Sequence, residues 1–327
     1  MTILILEPED YSLHALKIYK LLGPVCLWAN SNQSEKKSAD ILVIGLKYQI
    51  DKIFLDQMPK LKIIALPATG VNHIDVDYVK SKKIKIISLR GQKGFLKNVP
   101  STAEETMALL FSLVRNIPWA FGDVKNGNWD RLAWRGHQLM GKTIGLLGFG
   151  RLGRIVARYA KAFGMQVISC DPNVSEKFMK SRGAVKVSMD ELFKKSDIIS
   201  LHVLLTDETQ NLVKEKHLKS MKPSAYLINT ARAELIEKNS LYNALKNKWI
   251  AGAGLDVMWD ERSDGSHLKK DPLWKYSQEN KNLIILPHIG GATYEAMEDT
   301  QEFIAGLVEE YINGRRNLRK SPRQHND

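Results

Sequence analysis

Gly148, Phe149, Gly150, Arg151, Leu152 and Gly153 form a G-x-G-x-x-G run, a pattern suited to holding a pyrophosphate. The first glycine permits a tight turn, the second lets backbone approach the phosphates, and the third lets a helix pack closely on a strand. The run follows the apolar segment TIGLL at 143–147 and opens RIVARYAKAF, in which Ile155, Tyr159 and Phe163 fall on one helical face. Gly164 stands where a helix C-cap is expected. The helix N-terminus would add unpaired N–H groups and the positive end of its dipole. The next apolar segment, QVISC, ends at Asp171, 18 residues beyond Gly153. A carboxylate there would accept hydrogen bonds from an adenosine ribose and repel a 2′-phosphate, which selects NAD over NADP. The competing reading is a glycine-rich turn that binds nothing, beside an ordinary surface aspartate. Strand, turn, helix and acid in the right order speak against it.

A second set of residues suits proton and hydride chemistry. Ligands of open α/β sheets bind beyond the carboxyl ends of the strands. At those ends stand Val203, Thr230 to Arg232, Asp256 and the Pro287-His288-Ile289-Gly290-Gly291 turn, with Glu261 shortly after Asp256. Arg232 would grip a carboxylate through two N–H groups and polarise a reacting oxygen. His288 would take the proton of a hydroxyl during oxidation and return it during reduction. Glu261, paired with it, would stabilise the imidazolium and fix the ring. The trio suits hydride transfer at a 2-hydroxy or 2-oxo acid. An Arg, Glu or His near a strand end is also commonly structural, so spacing alone leaves both readings open.

The elements that must position these residues follow from the apolar pattern. TILILE at 2–7, ILVIGL at 41–46, KIIAL at 62–66 and IKIIS at 84–88 read as strands. So do 143–147, 166–170, DIISLHV at 197–203, AYLINTA at 225–231, GLDVM at 254–258 and LIILP at 283–287. Continuous rather than alternating hydrophobicity predicts parallel sheets covered on both faces. STAEETMALLFSLVRN at 101–116 opens with a Ser/Thr start three residues before Glu104, a capping-box signal, and 293–313 is helical as well. The fold predicted is α/β, with two flavodoxin- or Rossmann-like doubly wound parallel-sheet domains. The NAD-binding domain, residues 99–292, is inserted into a substrate domain made of 1–98 and 293–327. A Trp- and Gly-rich stretch holding Trp119, Trp129 and Trp134 is too polar to be core throughout.

Composition agrees. A chain of 327 residues is about two domains at roughly 150 residues each, and 44% hydrophobic with 26% charged residues is ordinary for a globular protein. No run of about 18 apolar residues occurs, which speaks against a membrane span. MTILILEPED lacks the basic start of a signal peptide. Cys26 and Cys170 stand far apart without metal-ligand spacing, so neither a disulfide scaffold nor a bound metal is expected, and the cytoplasm is the default location. The net charge is +12. Its densest run is Arg315, Arg316, Arg319, Lys320 and Arg323, while pairs such as Lys36-Lys37, Lys82-Lys83 and Lys269-Lys270 are scattered. That scatter favours a solvated, steering surface over a nucleic-acid-binding face.

From ATGVNHID at 68–75 through STAEET, GFGRLG and INTARAEL to GLDVMWDE and PHIGGAT, the chain resembles the D-isomer-specific 2-hydroxyacid dehydrogenase family over nearly its whole length. That family includes D-lactate, glycerate (hydroxypyruvate), formate and phosphoglycerate dehydrogenases and NAD-sensing transcriptional corepressors. The resemblance implies NAD as cofactor and Arg232, Glu261 and His288 as the catalytic trio. Backbone N–H groups of Thr69, Gly70 and Val71 would meet the substrate carboxylate, with Thr69 also near the nicotinamide. Gly148, Gly150 and Gly153 with Arg151 and Leu152 would hold the pyrophosphate, Asp171 the adenosine ribose, and Val203 the adenosine side. Thr230 and Asp256 would hold the nicotinamide ribose and carboxamide, and His288, Gly290 and Gly291 would close that end. A homodimer formed through an arm near 117–141 is implied as well.

Departures from the family pattern narrow the reading. The usual HxPLTPET stretch appears as His202-Val203-Leu204-Leu205-Thr206-Asp207-Glu208-Thr209, and losing two prolines would loosen that loop without abolishing NAD binding. Where phosphoglycerate dehydrogenases commonly place an Arg before the substrate loop, this chain has Leu66-Pro67, and it lacks length for their regulatory domain. Lys47 is either a replacement cation for the substrate or a solvated lysine. The function expected is NAD-dependent interconversion of a small D-2-hydroxy acid and its 2-oxo acid, glycerate/hydroxypyruvate-like, with reduction favoured near neutral pH. The alternatives are a 3-phosphoglycerate dehydrogenase-like enzyme without a regulatory domain and a corepressor-like NAD sensor, which the basic charge would suit. An inactive structural dimer is a further reading, against which the complete trio argues. Specificity would rest on the loops near 45–50, 67–72 and 90–98, and Met258 and Trp259 would narrow the pocket.

Overall fold

The computed structural model of the protein describes residues 1–9, 11–262 and 264–320, with backbone alone for 315–320. The basic tail at Arg315, Arg316, Arg319, Lys320 and Arg323 therefore falls outside the described side chains. The chain divides into two compact units, Met1–Val99 together with the segment from Thr293, and Pro100–Ala292.

In the first unit, β1 (Thr2–Ile5), β2 (Val25–Leu27), β3 (Ala39–Val43), β4 (Ile63–Leu66) and β5 (Lys85–Ser88) form one sheet in the order β2-β1-β3-β4-β5. Every pairing is parallel. Successive side chains of a strand point to opposite faces, and here both faces are buried. Ile3, Ile5, Ile41, Val43, Ile63 and Ala65 pack with Tyr19, Leu22, Ile304 and Val308. Leu4, Leu42, Ile64 and Leu66 pack with Leu55, Met58 and Val79 on the other face. That double burial is why the strands read as unbroken apolar runs. The C-terminal helix Tyr294–Lys320 supplies part of this core, and Phe95 stacks on Phe303 at 4.0 Å.

In the second unit, β6 (Thr143–Leu147), β7 (Gln166–Cys170), β8 (Val185–Lys186), β9 (Ile198–Leu201), β10 (Tyr226–Asn229), β11 (Gly252–Leu255) and β12 (Leu283–Ile285) form a parallel sheet in the order β12-β11-β10-β9-β6-β7-β8. The order reverses between β6 and β9, which puts the topological switch point beyond Leu147 and Leu201. β9, β10 and β11 stop short of the expected ends at 203, 231 and 258 because the chain turns across the carboxyl edge there. Val257 and Met258 are buried without being in a ladder. The helix Ser101–Val114 lies against β11, where a Cβ on Gly254 would stand 2.7 Å from the Leu109 side chain. Its expected capping box is not formed: the cap residue is Pro100, and no side chain caps the end. Among the described residues, no helix is long and apolar enough to cross a membrane.

Candidate active site

The glycine run forms the turn between β6 and the helix Arg151–Ala162. The three glycines differ in what surrounds them. Gly148 has φ of 96°, in the left-handed region, and a Cβ there would stand 2.6 Å from the His202 carbonyl oxygen. A Cβ on Gly153 would stand 2.3 Å from the Gly148 carbonyl oxygen, so helix and turn touch through bare backbone. A Cβ on Gly150 would meet nothing within 4 Å, which leaves an open cradle over the backbone at the helix end. No side chain caps that end. Phe149 is buried and anchors the turn, and its N–H donates to Asp171 Oδ2 at 2.8 Å, while Oδ1 accepts from Asn173 N–H at 2.9 Å. Each carboxylate oxygen keeps a lone pair for a ribose hydroxyl. Val203 Cγ2 lies 3.2 Å from the Cβ position of Gly148. An open backbone cradle, an uncapped helix end and an acid at the end of β7 fit a dinucleotide.

His202 pairs its Nε2 with Ser200 Oγ at 2.9 Å beside this turn, and burial brings its pKa down to about 4. It is a neutral imidazole at neutral pH. The loop that follows has no proline, yet it is tightened by hydroxyls. Thr209 Oγ1 donates to the Leu204 carbonyl at 2.7 Å and accepts from Thr206 N–H at 2.8 Å. The expected loosening is thus offset by side-chain hydrogen bonds.

Beyond β10, β11 and β12 the second set comes together. His288 Nδ1 is 2.7 Å from Glu261 Oε2, and Glu261 Oε1 accepts the Met258 N–H at 2.7 Å. His288 has φ of 58°, left-handed for a residue with a side chain. The reason lies one residue on: Asp256 Oδ1 accepts from Ile289 N–H at 2.7 Å and Oδ2 from Gly290 N–H at 2.8 Å. A Cβ on Gly290 would crowd Asp256 Oδ2 at 2.8 Å and Thr102 at 3.2 Å, so only glycine admits this closure. Gly291 is open to solvent. Arg232 is half-buried and donates from Nη1 to the Ala231 carbonyl at 2.6 Å.

The charges reinforce the geometry. Burial pushes the Glu261 carboxyl up, but the His288 hydrogen bond and charge, the Met258 N–H and the Arg232 charge outweigh it, and the net shift is downward. For Asp256, burial prevails over the two N–H groups and the His288 charge, Glu261 pushes the same way, and its carboxyl is raised. Glu105 is raised by burial and by the charge of Asp256. Among the described residues, no cluster of His, Cys, Asp or Glu could hold a metal.

Other residues of the site escaped the sequence reading. Asn229 is fully buried, its Nδ2 donates to the Arg232 carbonyl at 2.8 Å, and its Oδ1 accepts from Ala231 N–H at 3.0 Å, so it folds the Arg232 turn onto itself. A buried Asn must find such partners, and its place directly before Thr230 was the available signal. Thr230 Oγ1 pairs with Thr106 Oγ1 at 2.8 Å, and Thr106 in turn donates to the Thr102 carbonyl. Met258 and Trp259, expected to narrow the pocket, are both buried. Trp259 is 7% exposed, and both residues pack into the core of the second unit, anchoring the loop that ends in Glu261.

Thr69, Gly70, Val71 and Lys47 belong to the first unit. The loop after β4 is fixed by Leu89 N–H on the Ala68 carbonyl at 3.1 Å and Ile74 N–H on the Val71 carbonyl at 3.0 Å. The backbone N–H groups of Thr69, Gly70 and Val71 donate to no described residue. Lys47 is exposed, with its ammonium 5.6 Å from the Tyr48 ring centre.

Residues 107–290 match the family described as D-isomer specific 2-hydroxyacid dehydrogenase, NAD binding domain. The chain is 39% identical over 276 residues to a glyoxylate reductase of Thermococcus litoralis, covering 82% of this chain and 79% of that one. It is 34% identical over 319 residues to a D-3-phosphoglycerate dehydrogenase of Methanocaldococcus jannaschii, covering 95% of this chain and 57% of that longer one. Among solved structures, the D-lactate dehydrogenase of Aquifex aeolicus complexed with NAD and lactic acid superposes with a TM-score of 0.82 at 31% identity, covering 97% of each chain.

The neutral His202 gives a test in pH. Its folded pKa lies below its unfolded value of 6.5, so between those values the unfolded chain binds a proton that the folded chain does not. Stability therefore falls as pH is lowered from 6.5 toward about 4. His202→Gln, which keeps a polar partner for Ser200, is expected to flatten that part of the profile in urea titrations. An unchanged slope would mean that other groups carry it.

Proposed function

The chain belongs to the D-isomer-specific 2-hydroxyacid dehydrogenase family and takes NAD as its cofactor, and on that premise we propose that it interconverts a small glycerate/hydroxypyruvate-like D-2-hydroxy acid and its 2-oxo acid. The observation that carries the proposal is the Glu261–His288 pair, with His288 held in a left-handed backbone conformation by the Asp256 clamp. Bound NAD supplies the hydride acceptor. Because Nδ1 of His288 is committed to Glu261, Nε2 takes the hydroxyl proton as the substrate is oxidised and returns it in reduction. The Glu261 carboxylate, 2.7 Å from the ring, offsets the charge that the imidazole gains. Arg232 spends one N–H on Ala231 and keeps the rest of its fork for the substrate carboxylate and the reacting oxygen.

We assign the other residues by the same logic. The backbone N–H groups of Thr69, Gly70 and Val71 give further donors for the carboxylate. Gly148, Gly150, Arg151, Leu152 and Gly153 hold the pyrophosphate, Asp171 the adenosine ribose, and Val203 the adenosine side. Thr230 and Asp256 serve the nicotinamide ribose and carboxamide, Asp256 through the lone pairs that Ile289 and Gly290 leave it. His288, Gly290 and Gly291 close that end. The names of the relatives support a small 2-oxo acid. A phosphoglycerate reading has one of those names behind it, while Leu66-Pro67 gives a phosphate no cation.

Two further statements belong to the proposal. The free thiols Cys26 and Cys170 support a cytoplasmic setting. The exposed apolar face of the helix Ile117–Lys125, made by Ile117, Phe121 and Val124, supports a homodimer through the 117–141 arm, with Trp129 (89% exposed), Leu132 and Met140 following it. Trp134 is accounted for within its own unit, donating to Asp123 and covered by Lys281.

Purified protein is expected to oxidise NADH with at least one member of a panel of glyoxylate, pyruvate, hydroxypyruvate, 3-phosphohydroxypyruvate and bulkier 2-oxo acids. His288→Ala should lower kcat/KM by about 10²–10⁴-fold while NADH binding persists. Tight NADH binding without turnover of any acid would instead favour an NAD-sensing binding protein. Asp171→Ala is expected to erode the preference for NADH over NADPH, and an equal preference in parent and variant would remove the role given to Asp171. Phe121→Glu is expected to halve the mass in solution by light scattering; an unaltered dimer, or a parent that is already monomeric, would rule the arm out.

A further inference from the structure

Glu7 follows β1, and β1 and β3 are the neighbours between which the strand order of the five-stranded sheet reverses. The crevice beyond such a pair of strands is where a sheet of this kind takes its ligand. The Glu7 carboxylate reaches across to the end of β3, where Oε1 accepts the Gly45 N–H at 3.1 Å and the Lys47 N–H at 3.2 Å. A Cβ on residue 45 would stand 2.2 Å from Glu7 Oε2, so Gly45 is what admits the carboxylate. The Leu46 N–H is a third donor to the carboxylate, and Oε2, against which Gly45 is packed, keeps a lone pair beyond it. Burial pushes the Glu7 carboxyl above its ordinary value, against the Lys47, Gly45 and Leu46 N–H groups and the Lys47 charge. Lys47 and Glu7 therefore act on each other, and a ligand arriving here meets a carboxylate beside the ammonium rather than a bare cation.

We propose that Glu7 is a specificity-determining residue for the dehydrogenase reaction: Oε2 accepts a hydrogen bond from a hydroxyl on the carbon next to the reacting one, and the carboxylate turns away a phosphate there. The inference rests on the proposed 2-hydroxyacid reaction and names its substrate class, a 2-oxo acid whose next carbon carries a free hydroxyl. A hydroxyl donating to a carboxylate makes a charge-assisted hydrogen bond, whereas two like charges brought together lose affinity steeply. Lys47, with its field opposed by Glu7, cannot act as a lone phosphate partner.

The test uses the full-length protein with NADH and three acids: glyoxylate, which has no carbon beyond the reacting one, hydroxypyruvate and 3-phosphohydroxypyruvate. In Glu7→Gln, the kcat/KM ratio of the phosphorylated to the hydroxylated acid is expected to rise about tenfold or more over the parent. Adding Lys47→Ala should cancel that rise, because the unopposed ammonium carries it. Gly45→Ala, which displaces the carboxylate without altering it, should lower the ratio of hydroxypyruvate to glyoxylate turnover. If the variants slow all three acids in the same proportion, or leave the ratios where the parent has them, Glu7 is only a support for its loop and the inference is overturned. A parent that binds NADH but reduces none of the three overturns the reaction itself, and is recognised before any variant is made.

Discussion

Two backbone N–H groups, those of Ile289 and Gly290, close on the carboxylate of Asp256 at 2.7 and 2.8 Å, immediately past the residue proposed to move the proton. A left-handed backbone conformation costs a non-glycine residue about 1–2 kcal/mol. A hydrogen bond to a charged group contributes roughly 1.5–3 kcal/mol, so two of them outweigh the strain at His288. The clamp thus holds the imidazole where Nδ1 meets Glu261. Without it, the chain at His288 would relax toward ordinary backbone angles and the ring would leave its partner.

The clamp has its own conditions. Asp256 is almost fully buried and its carboxyl is raised, so its ionised form depends on the two N–H groups it receives. Those groups reach it only because residue 290 has no side chain. The helix Ser101–Val114 sets the far wall through Thr102, and it is fixed against the sheet where Leu109 meets the bare Gly254 and Thr106 meets Thr230. Asn229 does for Arg232 what Asp256 does for His288, fixing the backbone beside it with a buried polar side chain. Arg232 and His288 are thereby each held by a buried polar neighbour at a strand end, Asn229 on β10 and Asp256 just past β11, while Glu261 is fixed by the Met258 N–H and by His288 itself.

Legibility followed burial. Strands covered on both faces, such as Ile41–Val43 or Ile63–Leu66, carry unbroken apolar runs and could be read directly. β2 and β8, at the sheet edges, are two or three residues long and only partly buried, and no run marks them. The glycine turn was legible because the spacing of its glycines between a strand and a helix is itself local. Thr106 and Glu7 were not, since their significance lies in partners such as Thr230, 124 residues away, and Gly45, 38 residues away. Trp259 misled for a related reason. Its neighbour in sequence is a site loop, while its side chain is committed to the core.

The two sheets place opposite chemistry at their switch points. Beyond β6 and β9 the chain offers backbone N–H groups and open space at Gly150, and the nearby His202 is kept neutral by burial. Backbone donors at a helix end, with the Arg151 guanidinium in its first turn, suit a diphosphate. Beyond β1 and β3 the chain offers an acceptor, Glu7, against whose Oε2 a glycine is packed. An acceptor suits hydroxyls and refuses anions. The same topology thus yields a phosphate cradle in one unit and a hydroxyl reader in the other, and what separates them is the sign of the group that each sheet admits beside its glycine.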